Sequence, residues 1–140
     1  MAKFSNKSKE RLLTCEADIQ KVLELAIQKY DFIILCGVRT PEEQFELFKQ
    51  GRKLVNGKWE KVGSTVTNID GKNTKSMHNY IPSRAVDIAP YPIDWNNLDR
   101  FKELSKIILE CAKELGVNLE WGGNWTSFKD YPHFQLKTQR

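Results

Sequence analysis

A chain of 140 residues, 40% hydrophobic and 29% charged, carries enough apolar material for one globular core, which excludes a disordered or fibrous polypeptide. The formal net charge of +4 is spread along the chain, so it favours anionic partners, cell-wall polymers or nucleic acid among them, without forming a basic arm. Cys15, Cys36 and Cys111 are odd in number and lack CxxC spacing, which reads as buried free thiols from a reducing compartment.

The N-terminus, MAKFSNKSKERLL, has no apolar export segment, and no apolar run approaches transmembrane length. The expectation is a protein made and folded in a cytoplasm. From Ser8 to Tyr30, Leu12, Cys15, Ile19, Val22, Leu23, Ala26 and Tyr30 recur at helical spacing and predict one amphipathic helix. DFIILCG predicts a short buried strand. In RTPEEQFELFKQG, Thr40 is placed as N-cap, Pro41 as first helical residue, Glu43 as reciprocal partner of a capping box and Gly51 as terminator.

Residues 52 to 75 are polar, and Asn56-Gly57 predicts a hairpin turn, so the stretch reads as a hairpin or lid rather than a linker. AVDIA predicts a strand. NNLDRFKELSKIILECAKELG predicts a long helix with Phe101, Leu104, Ile107, Ile108, Cys111 and Leu115 inward, ended by Gly116. Short strands at VNLEW and HFQLK complete an α+β order, a small antiparallel sheet packed with helices in one domain over residues 1–140.

Chemistry concentrates around the two histidines. A catalytic zinc needs three protein ligands and an open fourth position, and His78, Asp87 and His133 can supply the three. On a strand, Asp87 shares a face with Ala85, and His133 with Gln135, while Val86, Ile88, Phe134 and Leu136 face the other way. Asp130, three residues before His133, can serve as general base, and Arg39, after the first strand, can stabilise an oxyanion. Each residue also has a plainer reading: His78 as a packed histidine, Asp130 as a turn residue before Pro132, Arg39 as partner of a surface acid, Ser76 as a turn cap.

SMHNYIPSRAVDIAPY and EWGGNWTSFKDYPHFQL together resemble the zinc peptidase family that includes D-alanyl-D-alanine carboxypeptidases, vancomycin-resistance D,D-dipeptidases and the L-alanyl-D-glutamate peptidases used as phage endolysins. The shared pattern is a serine two residues before the first histidine, an AxD, a WGG-type segment and an acid three before the last histidine. GVRTPEEQ and IDWNNLDRF extend the likeness over most of the chain. The resemblance implies a hedgehog/D,D-peptidase-like fold with zinc bound by His78, Asp87 and His133. It further implies Asp130 as catalytic base, Arg39 as stabiliser of the substrate carbonyl, and Ser76 and Trp121 as substrate-binding residues. Gln44 is a weaker candidate for a structural or substrate contact.

Two departures are visible. IPS lengthens the loop between His78 and Asp87, leaving its path over the cleft open, and the acid is Asp where several carboxypeptidases have Glu. The expected activity is hydrolysis of the L-alanyl-D-glutamate bond in peptidoglycan by a monomeric phage endolysin held in the host cytoplasm until release, with neither nucleic-acid binding nor membrane insertion. A D,D-carboxypeptidase or dipeptidase is the alternative enzyme. A zinc-containing wall-binding module without turnover, as the resembling hedgehog signalling domain illustrates, is the alternative of another class.

Overall fold

The computed structural model describes residues 2–126 and 129–137. Ser127 and Phe128 of the C-terminal motif lie outside the described residues. Among those described, the chain forms α1 (Asn6–Leu12), α2 (Ala17–Ala26), β1 (Phe32–Cys36), α3 (Pro41–Lys49), β2 (Arg52–Val55), β3 (Lys58–Lys61), β4 (Ala85–Pro90), α4 (Leu98–Leu115), β5 (Leu119–Trp121) and β6 (His133–Leu136). None of these helices is long and apolar enough to cross a membrane.

Four strands make one antiparallel sheet in the order β1-β4-β6-β5, and β2 and β3 pair as a separate hairpin. Side chains on successive strand residues point to opposite faces, and here the two faces differ in kind. One presents Phe32, Ile34, Val86, Ile88, Leu119, Trp121, Phe134 and Leu136 to α1, α2 and α4, where they meet Ile19, Val22, Leu23, Leu104, Ile108 and Cys111 in the core. Burial of each such large apolar side chain contributes about 1.5–3 kcal/mol, so stability is concentrated on this side. The opposite face carries Asp87, His133, Gln135 and Glu120, brought into line by the register pairs Asp87↔His133 and Glu120↔Gln135.

The single helix expected over residues 8–30 is two helices. The backbone leaves the helical path after Leu12 because Thr14 and Glu16 bond elsewhere: Glu16 N donates to Ser83 O at 2.9 Å, and Ser83 N donates to Thr14 O at 2.8 Å. Leu12, Cys15, Ile19, Val22, Leu23 and Ala26 are nevertheless all buried, so the apolar rhythm runs unbroken through the turn. The same contacts settle the course of the IPS insert. Ser83 is fully buried, its hydroxyl donating to Ala85 O at 2.6 Å, and Arg84 pairs with Glu16 at 3.0 Å. The insert docks on the α1–α2 turn through Ser83, and Tyr80, immediately before the insert, lines the cleft described below.

α3 begins as the sequence dictates. Thr40 Oγ1 accepts from Glu43 N at 3.0 Å, Glu43 Oε1 accepts from Thr40 N at 2.9 Å, and the chain leaves through Gly51 at φ +80°. The Asn56-Gly57 turn has both residues at positive φ, as a tight hairpin turn requires. Phe45 of α3 meets Trp59 of β3 edge to face at 5.7 Å, which fixes the hairpin against the helix. α4 ends at Gly116 in the left-handed conformation, and Leu115, expected inward, is instead 43% exposed at the helix's last residue.

Candidate metal centre and cleft

Three potential ligands come from three pieces of backbone. His78 sits in a one-turn 3₁₀ helix, Met77–Asn79, capped by Ser76: Ser76 Oγ accepts from His78 N at 3.2 Å and Asn79 Oδ1 accepts from Ser76 N at 2.9 Å. That turn is stitched to the β1–α3 loop, since Arg39 N donates to His78 O at 2.8 Å and Asn79 Nδ2 donates to Arg39 O at 2.7 Å. Asp87 projects from the middle of β4 and His133 from the start of β6.

The donor atoms converge on one oxygen. Asp87 Oδ1 lies 3.2 Å from His78 Nε2 and 3.1 Å from His133 Nδ1, while the other ring nitrogens are already engaged: His78 Nδ1 donates to Gly37 O at 2.7 Å and His133 Nε2 meets Gln135 Oε1 at 2.7 Å. A carboxylate oxygen only accepts, so a positive centre, a proton or a metal ion, must lie between it and each facing nitrogen. Burial works to depress the His78 pKa, but the hydrogen bonds to Asp87 and Cys36 and the Asp87 charge raise it to about 9. Burial likewise works to raise Asp87, yet hydrogen bonds from His133 and His78, with the charges behind them, hold it far below the usual carboxylate range. The field at this point therefore favours added positive charge. Two imidazoles and a carboxylate around an open side fit a divalent metal ion with borderline nitrogen and oxygen preference.

Asp130 stands beside this cluster, Oδ2 at 3.9 Å from His133 Nδ1. Its carboxyl is pushed above the ordinary range, first by burial and then by the Asp87 charge, against the opposing pull of His133, His78 and Arg39. A raised pKa makes a stronger base. Asp130, Asp87 and His133 are also close enough to form a metal-binding trio, as are Cys36, His78 and Asp87.

Arg39 is held by its neighbours. Nη1 donates to Gln44 Oε1 at 2.8 Å, and Nη2 donates to Asp87 Oδ2 at 3.2 Å and to Cys36 Sγ at 3.6 Å. The guanidinium thus takes the oxygen of Asp87 that the histidines leave. Gln44, 1% exposed, passes the restraint on: its amide nitrogen donates to Ile69 O at 2.9 Å. One residue of α3 thereby fixes both the arginine and the loop that walls the cleft.

That cleft measures about 510 Å³ and is lined by Arg39, Gln44, Ser76, His78, Asp87, Asp130 and His133, with Thr67, Asn68, Lys75, Tyr80 and Trp125 among the surrounding residues. Trp121 is elsewhere. Paired with Phe134 in the sheet register, it turns toward the helices, is 6% exposed, and donates its indole N–H to Tyr131 O at 2.7 Å. The aromatic residue at the cleft is Trp125, whose ring centroid lies 5.3 Å from that of His133. Sequence reading assigned no role to Trp125 or Glu120, and it took Cys36 for a buried thiol, whereas Cys36 is only partly buried beside Asp87. Cys36 reaches Asp87 only because the β1–β4 register shifts between Ile34 and Cys36, an irregularity that reverses facing.

The two glycines of WGG have separate reasons. A Cβ on Gly122 would lie 2.4 Å from Asp130 O and 3.0 Å from Asp130 Cβ, and a Cβ on Gly123 would lie 2.3 Å from the Trp121 indole. Asp130 N also donates to Gly122 O at 3.0 Å, so Gly122 is the seat of Asp130. Gly122→Ala is expected to push Asp130 off its position and lower the turnover that depends on it at least about tenfold, since misplacement by about 1 Å can cost 10²-fold. Bound metal, measured by elemental analysis, should stay at the wild-type level, because Gly122 approaches none of the three converging donors.

The sequence pattern that defines the phage L-alanyl-D-glutamate peptidase family matches residues 1–138. The chain is 33% identical over 140 residues to the L-alanyl-D-glutamate peptidase of Escherichia phage T5, covering 96% of this chain and 89% of that one. It is 36% identical over 114 residues to the peptidoglycan L-alanyl-D-glutamate endopeptidase CwlK of Bacillus subtilis, covering 76% of this chain and 60% of that protein. Among solved structures, the Serratia marcescens L-Ala D-Glu endopeptidase ChiX superposes with a TM-score of 0.72 at 27% identity, covering 96% of this chain and 89% of that one. With its sheet, cleft and near full-length match in agreement, this chain belongs to the phage L-alanyl-D-glutamate peptidase family.

Proposed function

We propose that the protein hydrolyses the L-alanyl-D-glutamate bond of peptidoglycan stem peptides as a phage endolysin, with zinc as its metal. The observation that carries this reading is the convergence of His78 Nε2, Asp87 Oδ1 and His133 Nδ1 at 3.1–3.2 Å, with Asp130 beside them, in a chain of this family. His78, Asp87 and His133 would hold the ion, which when bound supplies a nucleophilic water near neutral pH and polarises the scissile carbonyl. Asp130 accepts a proton from the attacking water and returns it to the leaving amine. Arg39 orients Asp87 through Oδ2, and its remaining N–H groups can bind the substrate carbonyl as charge develops on it. Ser76 holds the turn that carries His78, and its hydroxyl proton can still bind the peptide backbone. Trp125 takes the substrate-binding place at the cleft that the family resemblance implied for Trp121.

In this reading the enzyme acts as a monomer on an anionic wall, after a period in the host cytoplasm. The three unpaired cysteines fit such a reducing compartment. Mass spectrometry of purified peptidoglycan digested with the zinc-loaded protein should show fragments with a new N-terminal glutamyl group. Released D-alanine would replace this reading with a D,D-carboxypeptidase, and protein bound to undigested wall would replace it with a binding module.

A further inference from the structure

The sheet face that bears Asp87 and His133 also bears two polar residues that the proposed reaction does not use. Glu120 Oε1 accepts from Trp125 Nε1 at 3.1 Å and from Gln135 Nε2 at 3.4 Å, and Gln135 Oε1 lies 2.7 Å from His133 Nε2. The order of donors along this path is forced. A carboxylate only accepts, so Glu120 must face the NH₂ side of the Gln135 amide. The amide oxygen is then left for His133, and an oxygen acceptor there requires the proton on Nε2. Nδ1 is the nitrogen turned to Asp87 Oδ1, at 3.1 Å.

We propose that Glu120 and Gln135 are positioning residues that select the His133 tautomer and ring orientation presented to the metal, an inference that rests on the ligand reading above. Glu120 fixes the Gln135 amide, Gln135 fixes Nε2–H, and the Nδ1 lone pair is thereby directed at the ion. The same carboxylate oxygen anchors the Trp125 indole, whose ring lies against His133. The aromatic wall of the cleft and the metal ligand are therefore held from one point. His78 achieves its orientation differently, with a backbone carbonyl, Gly37 O, as acceptor. A side-chain relay can be edited by mutation where a carbonyl cannot.

The test is zinc affinity of the full chain, measured by competition with a chromophoric chelator. Gln135→Leu leaves Nε2–H without an acceptor and should weaken zinc binding about 10- to 100-fold, the usual cost of removing an outer-shell partner. Gln135→Asn keeps an amide that falls short of the ring and should weaken it comparably, which covers the case of a poorly folding leucine variant. In the exchange E120Q/Q135E the hydrogen bond between positions 120 and 135 reverses, but the amide oxygen at 120 still accepts from Trp125 Nε1 and the carboxylate at 135 still accepts from His133 Nε2–H, so affinity should return to within about threefold of wild type. Nitrogen-15 spectra of the zinc-loaded wild type should show His133 protonated on Nε2, with that signature lost in Gln135→Leu and regained in the exchange. Wild-type affinity in both single variants, or no rescue by the exchange, would overturn the relay alone. No zinc uptake by the wild type would overturn the ligand reading and the relay together.

Discussion

Asp130→Asn is expected to retain zinc at the wild-type level and to lower hydrolysis of purified peptidoglycan by about 10²–10⁴, the span that general acid-base catalysis contributes. Asparagine matches the carboxylate in size and can keep the backbone seat on Gly122, including the bond from residue 130 N to Gly122 O. What it loses is the ability to take up a proton. The metal measurement matters as much as the rate. Asp130 approaches His133 Nδ1 at 3.9 Å and could form a trio with Asp87 and His133, so its place as base rather than ligand depends on the shorter approach of His78 to Asp87, 3.2 Å. Elemental analysis showing zinc lost along with activity would make Asp130 a ligand, and full activity with zinc retained would remove it as the base.

His133→Ala should empty the site. Zinc sites built from protein ligands release about 10–16 kcal/mol on binding, which spread over four ligands is about 2.5–4 kcal/mol each, or about 10²–10³ in affinity for the loss of one. The fold should survive, because Phe134 and Leu136, the neighbours of His133 that enter the core, are untouched. The expected result is a soluble protein with a native circular dichroism spectrum, little zinc after dialysis and no peptidoglycan hydrolysis. Wild-type zinc content in that variant would remove His133 from the ligand set.

The strands that carry Asp87 and His133 were legible because their chemistry is written in the simplest period a chain has. HFQL alternates polar and apolar residues, and in AVDIA the single acid stands between the branched Val86 and Ile88, so Asp87 and His133 could be placed opposite the core before any strand pairing was known. The capping box at Thr40 and the left-handed glycine at 116 were equally local, each decided within a few residues. What escaped depended on partners distant in sequence. The break between α1 and α2 is set by Ser83, about seventy positions away, and the apolar spacing that crosses it carries no trace of it. Trp121 and Trp125 both flank the WGG glycines, and only the pairing of Trp121 with Phe134 decides which tryptophan enters the core. Cys36 defeats alternation because the register slips beside it.

The division of labour between the sheet's two faces governs how this enzyme can be altered. Inserting or deleting one residue in β4 or β6 would reverse the facing of the following residues, driving Asp87 or His133 into the apolar layer and an isoleucine or phenylalanine into the cleft. Such length changes destroy stability and chemistry together. Exchanges at Glu120 and Gln135 meet no such penalty, since these residues share the working face and leave the packed layer intact. A library confined to those positions, with Trp125 at the rim, would vary metal affinity and peptide preference on a scaffold whose folding energy is drawn from the other side.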